Sequence, residues 1–539
     1  MAQRAERIAF ACLASTFLTV ACGDSSQSSG TDTAPTSTAP TGITLDPTTG
    51  TGTTTGTTDI GTTDEPTGTT ATSTTVTPTS TTTTTDPSAT DTDTSTTAPP
   101  CIGLECQIDP CDGNKDKTTL SGIVFAPEGT LPLYNITVYV PSGPLEPVAE
   151  GVACDTCGGA LPGDPIVATL TNTKGEFTLT GVPSGQNIPL VVSVGKWRRE
   201  VVLPEVVACA DNLAPYDLTR LPKNQSEGHI PKIAMVTGGA DPLECLLRKI
   251  GIEDGEFTPE DGSGRVNMFE GEGGADRYSD DLNGGADFSG ASTLWGSLDT
   301  YKKYDMVLMA CEGGQNGGAK SNAMRQNLVD YAGLGGRIFL SHWHNIWIED
   351  GPDPWPSTAD FVSEPDLPNP VTGKIDTSFP KGMALADWML HVGGSEVHGE
   401  MEIKEAQYTV DSVNEMTSTR WVYTDSPENT VQYFTFNAPV GVPAEQQCGR
   451  VVDSDIHVSS GDNIGEPFPT GCETQGLSPQ EKALVFMFFE PLGLPDPRRR
   501  GPDPRLTRET HKMSFGTDPR PRGEGRPRTG IPSHMSPRT

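Results

Sequence analysis

The sequence predicts a multidomain protein: a small β-sandwich and an α/β unit built on a parallel sheet, carried between a disordered stalk and a disordered tail. Three observations predict it. Residues 23–100 are almost entirely Thr, Ser, Gly, Pro, Ala and Asp, with no Lys, Arg or aromatic residue, a composition that buries too little apolar surface to offset its ordering entropy. Residues 117–204 alternate apolar and polar side chains between Pro/Gly turns, as half-buried strands do. From Pro231 onward, wholly apolar strand runs alternate with helix-period segments, the pattern of a parallel sheet covered on both faces.

The N-terminus sets the compartment. Arg4 and Arg7 precede an apolar run from Ile8 to Ala21, too short to span a membrane, so residues 1–21 read as a secretory signal. The stretch "LTVAC" resembles a bacterial lipoprotein cleavage box, although Thr19 stands where leucine is favoured. The resemblance implies lipidation of Cys22, the stalk 22–100 as a tether, and anchoring in a Gram-negative cell envelope. The absence of Asp after Cys22 leans toward the outer membrane.

Ten cysteines follow Cys22: Cys101, Cys106, Cys111, Cys154, Cys157, Cys209, Cys245, Cys311, Cys448 and Cys472. In an exported chain an even number reads as up to five disulfides. The spacing in the lead-in 101–116 and the single C-x-x-C at 154–157 do not form the paired halves of a zinc ribbon. The net charge of −34 is uneven, because the Arg/Pro-rich tail 495–539 carries +6 and the rest −40. An acidic body argues against a nucleic-acid partner. The tail lacks apolar periodicity and reads as a disordered extension.

Residues 117–210 hold the sandwich strands "TTLSGIVFAP", "YNITVYVPSG", "IVATLTNTKGEFTLTGVPSG" and "IPLVVSVGKWRREVVLP". Their order, with the element Thr173, Gly175, Phe177, Leu179, resembles the carboxypeptidase regulatory-like domain, a transthyretin-like sandwich. Such domains are accessory or adhesive modules. The insertion around Cys154 and Cys157 reads as a stapled loop, with Cys209 as another candidate partner; a redox C-x-x-C lacks its βαβ context.

Residues 228–494 read as the α/β domain. "PKIAMVTGG" leads into a helix with Asp241 as N-cap and Pro242 at its first position. Then come strand "GRVNMFEG", helix "TLWGSLDTYKKY", strand "DMVLMAC", helix "NAMRQNLVDYAGLG" and strand "GRIFLSHWH". Helix "KGMALADWMLHVGG", strands "TRWVYTD", "TVQYFTFN" and "CGRVVDSDIHVS", and a closing helix capped by Ser478 complete the unit. "YDMVLMACEGG", "GGRIFLSHWH" and "GRVVDSDIH" resemble the class I glutamine amidotransferase-like fold and, within it, the ThuA-like group. The resemblance implies a flavodoxin-like sheet, with a histidine rather than a nucleophile on the elbow turn at Ser341-His342.

Ligands of open α/β sheets sit at the carboxyl ends of the strands. Those ends supply a ligand-cleft set of Thr237, Gly238, Gly239, Gly313, Gly314 and Trp343. His342 and His344, two apart, point to one side of an extended strand. With His457 and Asp455, or alternatively Asp350 or Asp453, they form a candidate metal shell, zinc being the apt ion. Catalytic candidates are Ser341, His342, His457, Cys311 and Glu312: Cys311 as nucleophile with His457 as base and Glu312 orienting it, or Ser341 in its place, although no G-x-S-x-G elbow is present. A polar ligand cleft and a plain hydrogen-bonded strand end compete with both. The glycine-rich segments lack a G-x-G-x-x-G or Walker lysine, so no nucleotide cofactor is expected. The acidic "GEGGADRYSDDLNGGADFSG" lacks calcium-loop order, and "WIEDGPDPWPSTADF" reads as a carbohydrate platform, a lid or a packed loop. The expectation is a surface binding module taking a polysaccharide or a surface protein, with a metal-dependent or Cys/His-based envelope hydrolase as the alternative.

Overall fold

The structure is a computed structural model and describes residues 103–113, 117–154, 161–365, 367–458, 462–472 and 476–489, all within one compact unit. The signal, Cys22, the stalk, Cys101, Cys157 and the basic tail lie outside the described residues.

The first part is two sheets sharing one core. Strands β1 Thr119–Ile123, β2 Thr137–Pro141, β3 Pro165–Leu170, β4 Glu176–Thr180, β5 Gly185–Val194, β6 Trp197–Val206 and β7 Asp211–Leu213 assemble as β4-β1-β7 and β3-β2-β5-β6. Strand β4 alternates strictly, so Phe177 and Leu179 enter the core with Leu120, Val138, Leu190 and Val192. Its entry turn is fixed by Asn172, whose Oδ1 accepts from the amides of Lys174 and Glu176, and by Gly175 at φ +74, where a Cβ would sit 2.8 Å from Pro132.

The second part opens with β8 Ile233–Val236, α1 Leu243–Lys249, β9 Phe257–Thr258, β10 Val266–Glu270, β11 Ser289–Gly290, α2 Ala291–Trp295, α3 Leu298–Tyr301 and β12 Met306–Met309. It continues through α4 Asn322–Gly333, β13 Arg337–Ser341, α5 Ile346–Glu349, β14 Ala359–Phe361, β15 Val371–Ile375, α6 Pro380–His391, β16 Glu400–Ile403 and β17 Val410–Val413. Strands β18 Ser418–Thr424, β19 Thr430–Ala438 and β20 Gly449–Ser454 and helix α7 Pro479–Phe489 close it. The large sheet runs β11-β10-β8-β12-β13-β20-β19-β18-β15-β16. Strands β11 through β20 along this order are parallel, whereas β19, β18, β15 and β16 are joined antiparallel. The sheet is therefore parallel only in part, because the short Asp425–Asn429 connection between β18 and β19 allows a hairpin and no crossover.

Strands β8 and β12 are apolar throughout, and β13 from Ile338 to Leu340, because alternate residues face two different cores. Ile233, Met235, Met306, Leu308 and Phe339 join the core shared with the first part; Ala234, Val236, Val307, Met309, Ile338 and Leu340 join a second core with residues of α2, α4 and α5. The expected helix over "TLWGSLDTYKKY" is two short helices. It breaks at Gly296, and Ser297 starts α3 by accepting from the Thr300 amide. Ser478 caps α7 as expected: the Glu481 amide donates to its Oγ, and the Ser478 amide donates to Glu481 Oε2 at 2.7 Å, a reciprocal capping box.

The two parts are joined by side chains that neither could bury alone. Trp197 lies edge-on to Phe488 and Phe489 of α7, Tyr134 stacks on Phe486, and Trp388 Nε1 donates to the Pro132 carbonyl. A largely buried Lys196–Asp305 ion pair adds a polar tie. Disulfide Cys154–Cys448 spans the same boundary, while Cys111–Cys209 closes the first part and Cys245–Cys472 the second; Cys106 is disulfide-bonded as well. Cys154 thus bonds neither Cys157 nor Cys209. The disulfides fit an exported protein. Among the described residues no helix is long and apolar enough to cross a membrane.

Candidate functional site

The chain order of the parallel strands, β8 between β10 and β12, makes the connections leave β8 and β12 in opposite directions. In open α/β sheets such a divergence marks the ligand crevice, at the carboxyl ends of these strands. The exit of β8 is locked by Thr237, whose Oγ1 donates to the Ala275 carbonyl, and by Gly238, where a Cβ would lie 2.3 Å from the Cys311 carbonyl oxygen. Thr237 is therefore a buried strut, and Gly238 serves the close approach of two strand ends. Gly313, at φ +78, turns the β12 exit outward and is exposed, with Gly314 beside it half-buried.

The β13 exit departs from the expected geometry. Ser341 ends the strand, and His342 takes a left-handed φ of +42 before a 3-10 turn over His342–Asn345. A non-glycine residue in that region is strained and marks a position held by its surroundings. The turn sends His342 and His344 into different environments, so the two do not point to one side.

His342 meets Cys311 and His457. Its Nδ1 lies 3.2 Å from His457 Nε2 and 3.5 Å from Cys311 Sγ, and the Gly313 amide donates to the same sulfur at 3.4 Å. The three side chains are all buried, and Cys311 is the free cysteine among the described residues. The half-buried Trp343 ring lies tilted by 32° against His342, with ring centroids 4.4 Å apart. Asp241 supports the cluster from behind: its carboxylate accepts from Ser341 Oγ at 2.5 Å and from the Val458 amide at 2.9 Å. The helix cap expected of Asp241 is not formed; Pro242 holds that position with no side-chain cap. The carboxylate reaches across the crevice instead, tying the β13 and β20 exits together.

His344 packs in the second core. Its Nδ1 accepts from Trp347 Nε1 at 2.9 Å, its ring lies edge-on to Trp295, and among the described residues its Nε2 has no partner. Glu312 does not orient His457: it forms a 2.6 Å ion pair with Lys320, both almost wholly buried, and Lys320 also lies over the Trp295 ring. The carboxylates expected near a metal are elsewhere. Asp455 accepts from Thr409 N and Oγ1, Asp350 is exposed beside Arg325, and Asp453 is buried with neither oxygen partnered among the described residues. Trp347 and Trp355 are fully buried, so the Trp/Pro segment is a packed loop and not a platform.

Burial decides the charge state. It pushes the Cys311 thiol up to about 12 and, with the neighbouring His457, the His342 imidazole down to about 2; it takes His344 down to about 4. Cys311 and His342 are therefore neutral near pH 7, unlike the thiolate–imidazolium pair of a cysteine hydrolase. Burial alone would raise Glu312, but His344 and the Lys320 ammonium hold it below the usual carboxylate range. Ser341 is committed as donor to Asp241, and among the described residues no imidazole base is hydrogen-bonded to it.

The structure thus brings together Cys311, His342 and His457, and sets His344, Glu312 and Asp455 apart. Sequence reasoning missed the roles of Asp241 and Lys320. An aspartate two residues past a Gly-Gly strand exit is the available signal for the first, although its place before Pro242 equally suits a helix cap; Lys320 has none. No protein-family model matches the chain, and no curated sequence matches it. Among solved structures, two crystal structures of a type II cohesin–X-dockerin complex from Acetivibrio cellulolyticus, an N-terminal and a C-terminal interface mutant, align at 13% and 15% identity. Each alignment covers 27% of this chain and 78% of theirs with a TM-score of 0.13, too low to carry any argument about fold.

Proposed function

We propose that this chain is an envelope-anchored binding module in which the strand-exit crevice takes a polar ligand, with a saccharide the favoured class. In this reading a lipid on Cys22 and the stalk lift a transthyretin-like sandwich and a ThuA-like, flavodoxin-like domain clear of the membrane. The observation that carries it is the surround of the cluster: a half-buried Trp343 ring against His342, and the outward-turned Gly313, whose amide reaches Cys311 beside the same histidine. An aromatic face near exposed backbone is the chemistry that stacks on and hydrogen-bonds a sugar ring. The uncharged Cys311 and His342 beneath support binding over hydrolysis, because among the described residues no ionised nucleophile or paired catalytic carboxylate faces the opening. The test is a glycan array probed with the intact chain and with Trp343→Ala. Glycans bound by the wild type and lost in the variant are expected; no glycan bound, or the same set bound by both, would reject the saccharide reading.

A further inference from the structure

We infer that Cys311, His342 and His457 form a Cys-His-His centre for a divalent ion of zinc type, on the floor of the crevice. The side chains come from three strand exits: Cys311 from β12, His342 from β13, His457 from β20. Their ligating atoms all lie within 4.8 Å of one another. Tetrahedral zinc, with bonds of about 2.0–2.1 Å to nitrogen and about 2.3 Å to sulfur, sets its ligands about 3.3 Å (N to N) and about 3.6 Å (N to S) apart. The observed 3.2 Å between the imidazole nitrogens and 3.5 Å between His342 Nδ1 and Cys311 Sγ match those two edges. The third edge, between Cys311 and His457, is no longer than 4.8 Å.

Hydrogen bonding alone serves this cluster poorly. His342 Nδ1 faces both Cys311 Sγ and His457 Nε2, and a ring nitrogen with a single lone pair or a single proton satisfies one such partner well. A cation with three inward-facing donors removes the conflict. Binding converts the Cys311 thiol to thiolate and releases its proton to solvent, and the Gly313 amide already directed at the sulfur stabilises the charge that forms. The backbone is held ready: Asp241 ties Ser341 to Val458, the residues flanking His342 and His457, and Gln480 Nε2 donates to the His457 carbonyl at 2.7 Å. Cys311 also stays reduced in a chain whose other described cysteines are disulfide-bonded, as a thiol reserved for a metal would. Two imidazoles and one thiolate suit zinc better than calcium or magnesium. Three protein ligands leave a fourth position for water or for an oxygen of a bound molecule. The centre shares its place with the crevice proposed above but does not depend on a saccharide filling it.

The test uses cobalt as an optical stand-in on the intact, chelator-stripped chain. Stoichiometric Co(II) should give strong tetrahedral ligand-field bands and a thiolate-to-cobalt charge-transfer band, both displaced by Zn(II). Cys311→Ser should lose the charge-transfer band and weaken binding at least tenfold. His457→Ala should abolish the tetrahedral spectrum, whereas His344→Gln should leave it unchanged. Zinc should also protect Cys311 from alkylation mapped by mass spectrometry. A folded wild type, judged by near-ultraviolet circular dichroism, that gives no tetrahedral cobalt spectrum overturns the centre, as does a spectrum that survives Cys311→Ser together with His457→Ala. Either failure leaves glycan binding to be judged on its own assay.

Discussion

Glu244 offers the sharpest test of the energetics. It lies buried on α1, and among the described residues its Oε2 has no partner. Burial, with Asp241 and Asp462 nearby, raises its carboxyl from an ordinary 4.5 to about 8. The folded chain thus keeps a proton that the unfolded chain releases. Stability is fully present below the unfolded value and falls as pH rises from about 4.5 through about 8. By linkage the loss amounts to about 3 kcal/mol at pH 7 and about 5 kcal/mol above pH 9. Glu244→Gln keeps the shape and removes the titration, so its stability relative to wild type should climb by those amounts across the range. Urea unfolding at pH 5, 7 and 9 with disulfides intact measures the difference. Parallel wild-type and variant profiles would refute the reasoning, because they would place Glu244 in contact with water or with a counter-charge.

Three further outcomes follow from the packing. Lys320→Met strands Glu312 and should cost about 3–5 kcal/mol, whereas Lys320→Met with Glu312→Leu should recover most of it, a non-additivity that a double-mutant cycle in urea detects. Replacing Cys154 and Cys448 together by serine opens a loop of 294 residues and should lower stability by about 3–5 kcal/mol, read as a shift in urea midpoint. Trp197→Ala empties the seat between β6 and α7 and should cost about 3–5 kcal/mol, and in limited proteolysis it should expose cleavage between the two parts before global unfolding.

Much of the architecture was legible because hydrophobic period reports burial directly. The run Met306–Met309 is apolar at every position since each face of its strand meets a different core, and Phe177 and Leu179 alternate because only one face of theirs does. The crevice was legible at the level of which strand exits meet. Its geometry was not, for two reasons. An extended strand would have paired His342 with His344, but one residue at φ +42 rotates the second histidine into a different core, and no composition signal marks a left-handed histidine. Partner choice between distant residues is the other: nothing in spacing says that Cys154 finds Cys448, that Cys245 finds Cys472, or that Asp241 finds Ser341 rather than its own helix.

The most direct test of the crevice as the ligand site is hydrogen–deuterium exchange of the intact chain with and without a pool of envelope oligosaccharides. Slowed exchange confined to the four strand exits, at Thr237–Gly239, Cys311–Gly314, His342–His344 and Ile456–Val458, is the predicted result. Protection on the β4-β1-β7 sheet instead, or at none of these segments under a pool that the chain demonstrably binds, would contradict it.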